Sequence, residues 1–153
     1  MSTNITELLY NFAMNFFLKA PTLFSSAYIF IKTTNIKCKS KLALLLTAFF
    51  VVNIISSVVL LFDNSLGFLA SCILFIVTIT LFTKNNIKNT ISISIVSMGL
   101  SYCVRFIIAL IFAIASHYIS LVTYDFLNPK SIFTAIFIGI IHLLSTFYIM
   151  KIK

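Results

Sequence analysis

The sequence predicts an all-α protein of the cell membrane, a polytopic bundle of about five transmembrane helices. Of its 153 residues, 61% are hydrophobic and 9% are charged, whereas a globular domain carries about 25% charged residues. The apolar residues are gathered into runs separated by short polar segments, and several runs approach the ~20 residues that cross a bilayer. We therefore expect residues 1–153 to form a single transmembrane domain.

The first apolar run, residues 12–31, contains Lys19 and Pro21. Because proline lacks an N–H and its ring crowds the carbonyl four residues earlier, we expect a kink or break at Pro21. A polar stripe is also predicted on one face of this helix, because polar residues recur at every fourth position. These residues are Glu7, Asn11, Asn15 and Lys19.

Two arrangements fit this polar stripe. In the first, the segment crosses the membrane with the stripe facing other helices, and Lys19 extends its amine to the nearer interface. In the second, residues 1–20 lie flat on the membrane surface. We prefer the first arrangement, in which this segment is one of the five spans.

Four further runs predict the remaining helices, at about residues 42–62, 66–83, 91–116 and 132–150. Turn-forming side chains at 63–65 follow the first of these runs, so we expect it to form an antiparallel hairpin with the next. The run 91–116 contains one charge, Arg105, and at ~1.5 Å per residue it exceeds the hydrocarbon thickness. We expect that helix to tilt or to project from the membrane.

The lysines predict the orientation of the bundle. Eight of them fall on one side of the five predicted spans, and Lys130 falls on the other. The eight are Lys32, Lys37, Lys39, Lys41, Lys84, Lys88, Lys151 and Lys153. Cytoplasmic segments are rich in lysine, so we expect the amino terminus outside and the carboxyl terminus inside, with the amino terminus inside only if the first segment lies flat. The net charge of +8 then indicates contact with anionic membrane lipids and not with nucleic acid.

Arg105 is the first candidate site residue. A charge inside a transmembrane helix costs at least ~2.5 kcal/mol, which makes it a candidate for function. Ser94, Ser97 and Ser101 precede it at helical spacing, so this face should point into the bundle. Arg105 either extends toward the outer interface, or pairs with Asp63 or Asp125, or contacts an anionic or carbonyl-rich ligand.

His142, Asn53 and Tyr124 complete the candidate ligand-binding residues. His142 lies in the middle of the last run, where it either hydrogen-bonds to another helix or acts as a proton relay or ligand contact. Asn53 shares a face with Ser56 and Ser57, a pattern typical of interhelical hydrogen bonding. Tyr124 lies in the long outer segment that follows residue 116, where it could offer an aromatic contact beside Arg105.

The residues that support catalysis are few. Three acids, two histidines and three glycines give neither a metal-binding spacing nor a glycine-rich phosphate loop. The three cysteines are far apart, which predicts neither a disulfide framework nor a metal site. We expect a non-enzymatic protein without a cofactor or metal.

Two segments resemble a known family. The stretches Ser97–Tyr102 and Ile138–Leu144, the latter running on to Lys151–Lys153, resemble the membrane-embedded N-terminal input domains of Agr-type sensor histidine kinases of low-GC Gram-positive bacteria. This resemblance implies that a peptide signal is perceived at the outer face and passed to a cytoplasmic kinase or other signalling partner, with a homodimer also open. The kinase region itself is missing, so we expect a stand-alone or truncated input module.

Two other classes of function remain open from the sequence. One is a substrate-binding membrane subunit of a small-solute transporter, which predicts a pocket near His142 and Asn53. The other is a structural membrane protein that takes part in assembly and needs no ligand.

Overall fold

The computed structural model describes residues 5–34, 40–83, 86–119 and 132–151. Within these ranges the chain forms five helices, so the predicted all-α fold is confirmed. They are α1 (Ile5–Thr33), α2 (Lys41–Phe62), α3 (Asn64–Phe82), α4 (Ile87–Ile119) and α5 (Ile132–Lys151). A π-helical segment, Ala48–Val52, interrupts the α-helical pattern of α2.

Three helical segments in the described ranges are long and apolar enough to cross a membrane. These are Lys41–Phe62, Ile87–Ala115 and Thr134–Lys151, and Leu66–Phe82 is a shorter apolar helix. Large apolar side chains cover the outside of the molecule, including Ile73, Phe106 and Leu144, each at least 60% exposed. Soluble proteins rarely expose so large an apolar surface to water, so these features fit a membrane protein.

Helix α1 lies at the centre of the bundle and packs against α2, α4 and α5. Leu23, Ala27 and Phe30 of α1 are fully or almost fully buried and form the core together with residues of the other helices. Lys19 and Ala20 are buried as well. This packing against other helices favours the arrangement in which the first segment crosses the membrane, and the choice between the two arrangements stays a prediction.

Of the kink or break predicted at Pro21, the break is wrong. Helix α1 begins at Ile5, seven residues before the predicted start, and continues through Pro21 to Thr33. Proline removes one backbone hydrogen bond, but the packing of α5 supports the helix at this point. A Cβ atom on Gly139 would lie 2.6 Å from Cγ of Pro21, so only glycine lets α5 approach the proline ring this closely.

Helices α2 and α3 form the predicted hairpin, joined at Asp63. The Leu66 backbone N–H donates to Oδ1 of Asp63 at 3.0 Å, which caps the start of α3. Gly67 lets the two helices come into contact, because a Cβ atom there would lie 2.7 Å from Cα of Leu60. This contact places the first turns of α3 against α2 and beside the middle of α1.

Candidate functional site

Polar side chains meet around the middle of α1 in two adjacent groups. The lysine cluster consists of Lys19, Ser56, Gly67 and Ser71, and the arginine cluster consists of Thr22, Ser101, Arg105 and His142. Lys19 and Thr22 are three residues apart and therefore lie on the same side of α1. The two clusters thus meet on one helix face inside a largely apolar bundle.

In the lysine cluster, Lys19 is 9% exposed. Its Nζ atom donates to the Gly67 carbonyl at 3.0 Å, to Ser71 Oγ at 3.0 Å and to the Ser56 carbonyl at 3.4 Å. An ammonium group carries three N–H donors, so all of them are used. Lys19 links α1 to α2 and α3, and the expectation that its amine extends to the membrane interface is wrong.

Asn53 lies beside the lysine cluster and is fully buried. Its Nδ2 atom donates to the Phe16 carbonyl of α1 at 3.0 Å, and its Oδ1 atom accepts from Ser57 Oγ at 3.4 Å. The interhelical hydrogen bonding predicted for this position is therefore present. Both ends of the amide are already used, which makes Asn53 a structural link between α1 and α2.

In the arginine cluster, Arg105 faces the bundle as the serine spacing predicts. Its Nη1 atom donates to Thr22 Oγ1 at 2.9 Å. A guanidinium group has five N–H donors, and this is the single hydrogen bond that Arg105 forms within the described residues. Four donors therefore remain on a half-buried cation. The expected pairing with Asp63 does not occur, and Asp125 lies outside the described residues.

His142 is 1% exposed and belongs to the same cluster. Its Nε2 atom lies 3.3 Å from Ser101 Oγ, and that hydroxyl in turn donates to the Thr22 carbonyl at 2.9 Å. Because a serine hydroxyl has one proton, and this proton goes to Thr22, Nε2 of His142 must be the donor to Ser101. In its neutral form His142 then carries its proton on Nε2 and has an acceptor at Nδ1.

The acceptor Nδ1 of His142 has no hydrogen-bond partner among the described residues, and neither have the buried hydroxyls of Ser25 and Thr146. Thr146 is one helical turn from His142 on α5. Two contacts set the register between α1 and α5: Gly139 lies against Pro21, and the rings of Tyr28 and Phe147 are 4.6 Å apart. Ser25 lies between these contacts, at the level of His142 and Thr146.

The electrostatics of the two clusters are set by two cations. Lys19 lies one turn from Thr22, to which Arg105 is bonded, so the two like charges repel each other. The acids of the described residues lie elsewhere: Glu7 is exposed near the start of α1, and Asp63 caps α3. A buried site with two like charges attracts an anion.

The structure brings Arg105 and His142 together and places Asn53 beside Lys19, whereas Tyr124 lies outside the described residues. Sequence reasoning missed Lys19 and Thr22 as members of the site. Lys19 is a charge inside an apolar run, the same signal that identified Arg105. Thr22 gives no such signal, since isolated threonines are common in membrane helices. Within the described ranges, no group of His, Cys, Asp or Glu could hold a metal ion.

Comparisons with known proteins give no relative: the chain matches no family model, no curated protein and no solved structure. The resemblance to the input domains of Agr-type kinases therefore stays a prediction made from the sequence.

Proposed function

We propose that the protein is a non-enzymatic sensor module of the cell membrane. It binds an extracellular or membrane-borne ligand beside Arg105 and signals to a cytoplasmic partner. The observation that supports this proposal best is the state of Arg105, a half-buried cation held by one hydrogen bond to Thr22. Its remaining donors can form the paired hydrogen bonds by which arginine binds a carboxylate.

The ligand in this proposal carries an anionic or carbonyl-rich group. A peptide is the expected source, because its terminal carboxylate fits the guanidinium and because the resembling kinase input domains perceive peptides. Tyr124, in the outer segment, would add an aromatic contact. The second cation, Lys19, has no donor left for a ligand, but its charge strengthens the attraction for an anion.

The arginine cluster offers a route for the signal. Thr22, Arg105 and His142 lie on α1, α4 and α5. Arg105 bonds to Thr22 directly, and Ser101 joins Thr22 to His142. A ligand that competes with Thr22 for the guanidinium would favour one arrangement of these three helices over another. A preference of ~1.4 kcal/mol changes the ratio of two arrangements tenfold. Helix α5 carries such a change to the basic end at Lys151, where a partner would receive it.

The proposed topology has five spans, with the amino terminus outside and the carboxyl terminus inside. Helix α1 counts as a span in this topology, since its 29 residues extend about 43 Å at ~1.5 Å per residue, more than the ~30 Å hydrocarbon core. Its charge at Lys19 is buried by other helices and does not face lipid. The lysine asymmetry of the sequence sets the direction.

A reporter fusion tests the proposal. Residues 1–153 are joined to a cytoplasmic kinase reporter, which is exposed to bacterial culture supernatants. Ligand-dependent output is expected, and Arg105→Gln should abolish it while leaving insertion intact. Lys88→Gln removes an exposed cation of the same helix and should respond like the parent. If no supernatant gives output, and the chain supports uptake of a small solute with a co-expressed transport ATPase, the transporter-subunit alternative replaces the sensor.

A further inference from the structure

An apolar groove lies between α3 and α4, with a volume of about 290 Å³. Gly99 opens directly into it, because a Cβ atom added there would meet nothing within 4 Å. Its lining includes Phe68 and Cys72 of α3 and Ile95, Met98, Gly99 and Tyr102 of α4. The groove therefore has space for a hydrocarbon chain between two helices of the bundle.

One end of the groove lies next to the arginine cluster. The rings of Phe68 and Tyr102 are 5.4 Å apart across the two helices, and Tyr102 precedes Arg105 by one turn. Successive residues of a helix are rotated by about 100°. Arg105 is thus about 40° around α4 from Ser101, which faces α1, and about 60° from Tyr102, which faces the groove.

The same end of the groove is positively charged. After its bond to Thr22, Arg105 keeps four N–H donors that have no partner in the described part of the chain. On the opposite wall, Cys72 of the groove follows Ser71, whose hydroxyl accepts from Lys19 at 3.0 Å. The hydroxyl of Tyr102 has no hydrogen-bond partner within the described residues and is a further donor at this end. The groove is thus apolar along its length and positively charged at one end.

We propose that the groove binds a long-chain fatty acid, with its carboxylate at Arg105 and its chain running along Gly99 toward Ile95. The proposal rests on the proposed function in one respect: the fatty acid would be the membrane-borne ligand that the sensor detects, in place of the peptide. The distance along α4 from Arg105 to Ile95 is about 15 Å, which accommodates a long alkyl chain.

The chemistry of the membrane favours this ligand over an ordinary lipid. Lipid tails are as apolar as the groove, so its walls give little preference for one alkyl chain over another. Discrimination must come from the head, and a carboxylate accepts two parallel hydrogen bonds from a guanidinium. Arg105 also lies about 15 Å along the helix from Ala115, the end of the apolar segment. A small carboxylate reaches that depth more readily than a phospholipid head group.

Photolabelling tests the assignment. The full chain is placed in nanodiscs of zwitterionic phosphatidylcholine and labelled with palmitic acid that carries a photoactivatable diazirine in its chain. The acid should label residues of the groove, as mapped by mass spectrometry. Its methyl ester, which has the same chain without the charge, should label them at least tenfold less. Equal labelling by the acid and the ester would overturn the proposal.

Two matched variants test the place of binding. Gly99→Leu places a side chain in the groove, at a position where an added Cβ atom meets nothing within 4 Å, and should reduce labelling at least tenfold. Val96→Phe adds the same number of carbon atoms on an exposed face of α4 and should leave labelling unchanged. If the Gly99→Leu variant is still labelled, the fatty-acid site is contradicted. It is also contradicted if added phosphatidylglycerol competes with the label and added fatty acid does not.

The reporter fusion separates this inference from the proposed function. If fatty acid binds and Gly99→Leu blocks it but the reporter gives no output with any ligand, the groove assignment holds and the sensor proposal fails. If the reporter responds to another ligand and Gly99→Leu leaves both this response and fatty-acid labelling unchanged, the sensor proposal holds and the groove assignment fails.

Discussion

Ser101 donates its hydroxyl proton to the carbonyl of Thr22 over 2.9 Å, and this bond determines how His142 is protonated. With its single proton used, the hydroxyl can only accept from His142 Nε2, which lies 3.3 Å away. One serine therefore joins α1, α4 and α5. The carbonyl of Thr22 also accepts from Ser26 Oγ of its own helix at 2.7 Å.

The first prediction is the tautomer of His142. Solid-state NMR of the protein labelled with ¹⁵N-histidine should show that the His142 ring is protonated at Nε2 and unprotonated at Nδ1, because Ser101 has no proton to give to the ring. The second histidine, His117, is removed by His117→Gln so that the signal belongs to His142 alone. A proton on Nδ1 would contradict the derived direction of the Ser101 hydrogen bond.

A second prediction concerns the cost of losing Ser101. Ser101→Ala removes two interhelical hydrogen bonds and leaves His142 Nε2–H without an acceptor, so the free energy of unfolding in detergent should fall by roughly 1–2 kcal/mol. Ser97→Ala is the matched control, since the Ser97 hydroxyl bonds to the Ile93 carbonyl of its own helix. Equal losses for the two variants would show that Ser101 does not join the helices energetically.

Much of the helix pattern could be predicted from the sequence, because runs of apolar residues of membrane length are a local property. The ends of α2 and α5 are within one residue of the predicted positions, and α3 is displaced by at most two. Helix α4 begins four residues before its predicted start and ends three residues after its predicted end, and helix α1 departs furthest. Where α1 passes through Pro21 it packs against Gly139 of α5, a residue far away in sequence, and no local pattern contains that contact.

The site residues also divide into those that local spacing predicts and those that depend on another helix. Arg105 and the serines before it share one helix face, so their inward direction follows from spacing alone. The place of Lys19 does not, because its partners Gly67 and Ser71 lie on another helix. Lysines in membrane helices usually extend their amine to the interface. Lys19 does not, because three oxygen atoms inside the bundle accept hydrogen bonds from its ammonium group.

The third prediction compares two glycines. Gly67→Ala places a Cβ atom 2.7 Å from Cα of Leu60, so α2 and α3 must separate, and the free energy of unfolding should fall by about 1–3 kcal/mol. Gly99→Ala meets no atom within 4 Å and should be neutral or stabilising by up to ~1 kcal/mol, since alanine favours the helix. Similar effects of the two changes would contradict the close contact between α2 and α3.

A fourth prediction concerns the charge of Lys19. Lys19→Met keeps most of the side-chain volume and removes a buried cation that Arg105 repels, so the free energy of unfolding should change by less than about 1 kcal/mol. The acceptors it leaves are not orphaned, because Ser71 Oγ still donates to the Gly67 carbonyl at 2.8 Å. Lys19→Ala leaves a cavity as well and should cost about 2–5 kcal/mol. If methionine were as harmful as alanine, the hydrogen bonds of the ammonium group would matter more than its volume.

The last prediction is the topology, with Cys38 as its reporter. Cys38 lies outside the described residues, in the lysine-rich segment between α1 and α2 that the positive-inside rule assigns to the cytoplasm. A membrane-impermeant maleimide should therefore leave Cys38 unlabelled in intact cells and label it in inside-out vesicles. Cys38→Ser is the control for labelling of the remaining thiols, of which Cys103 is exposed on the apolar surface of α4 and should be out of reach of a polar reagent from either side. Labelling of Cys38 in intact cells would reverse the orientation, place the basic end of α5 outside, and remove the route by which the arginine cluster would signal to a cytoplasmic partner.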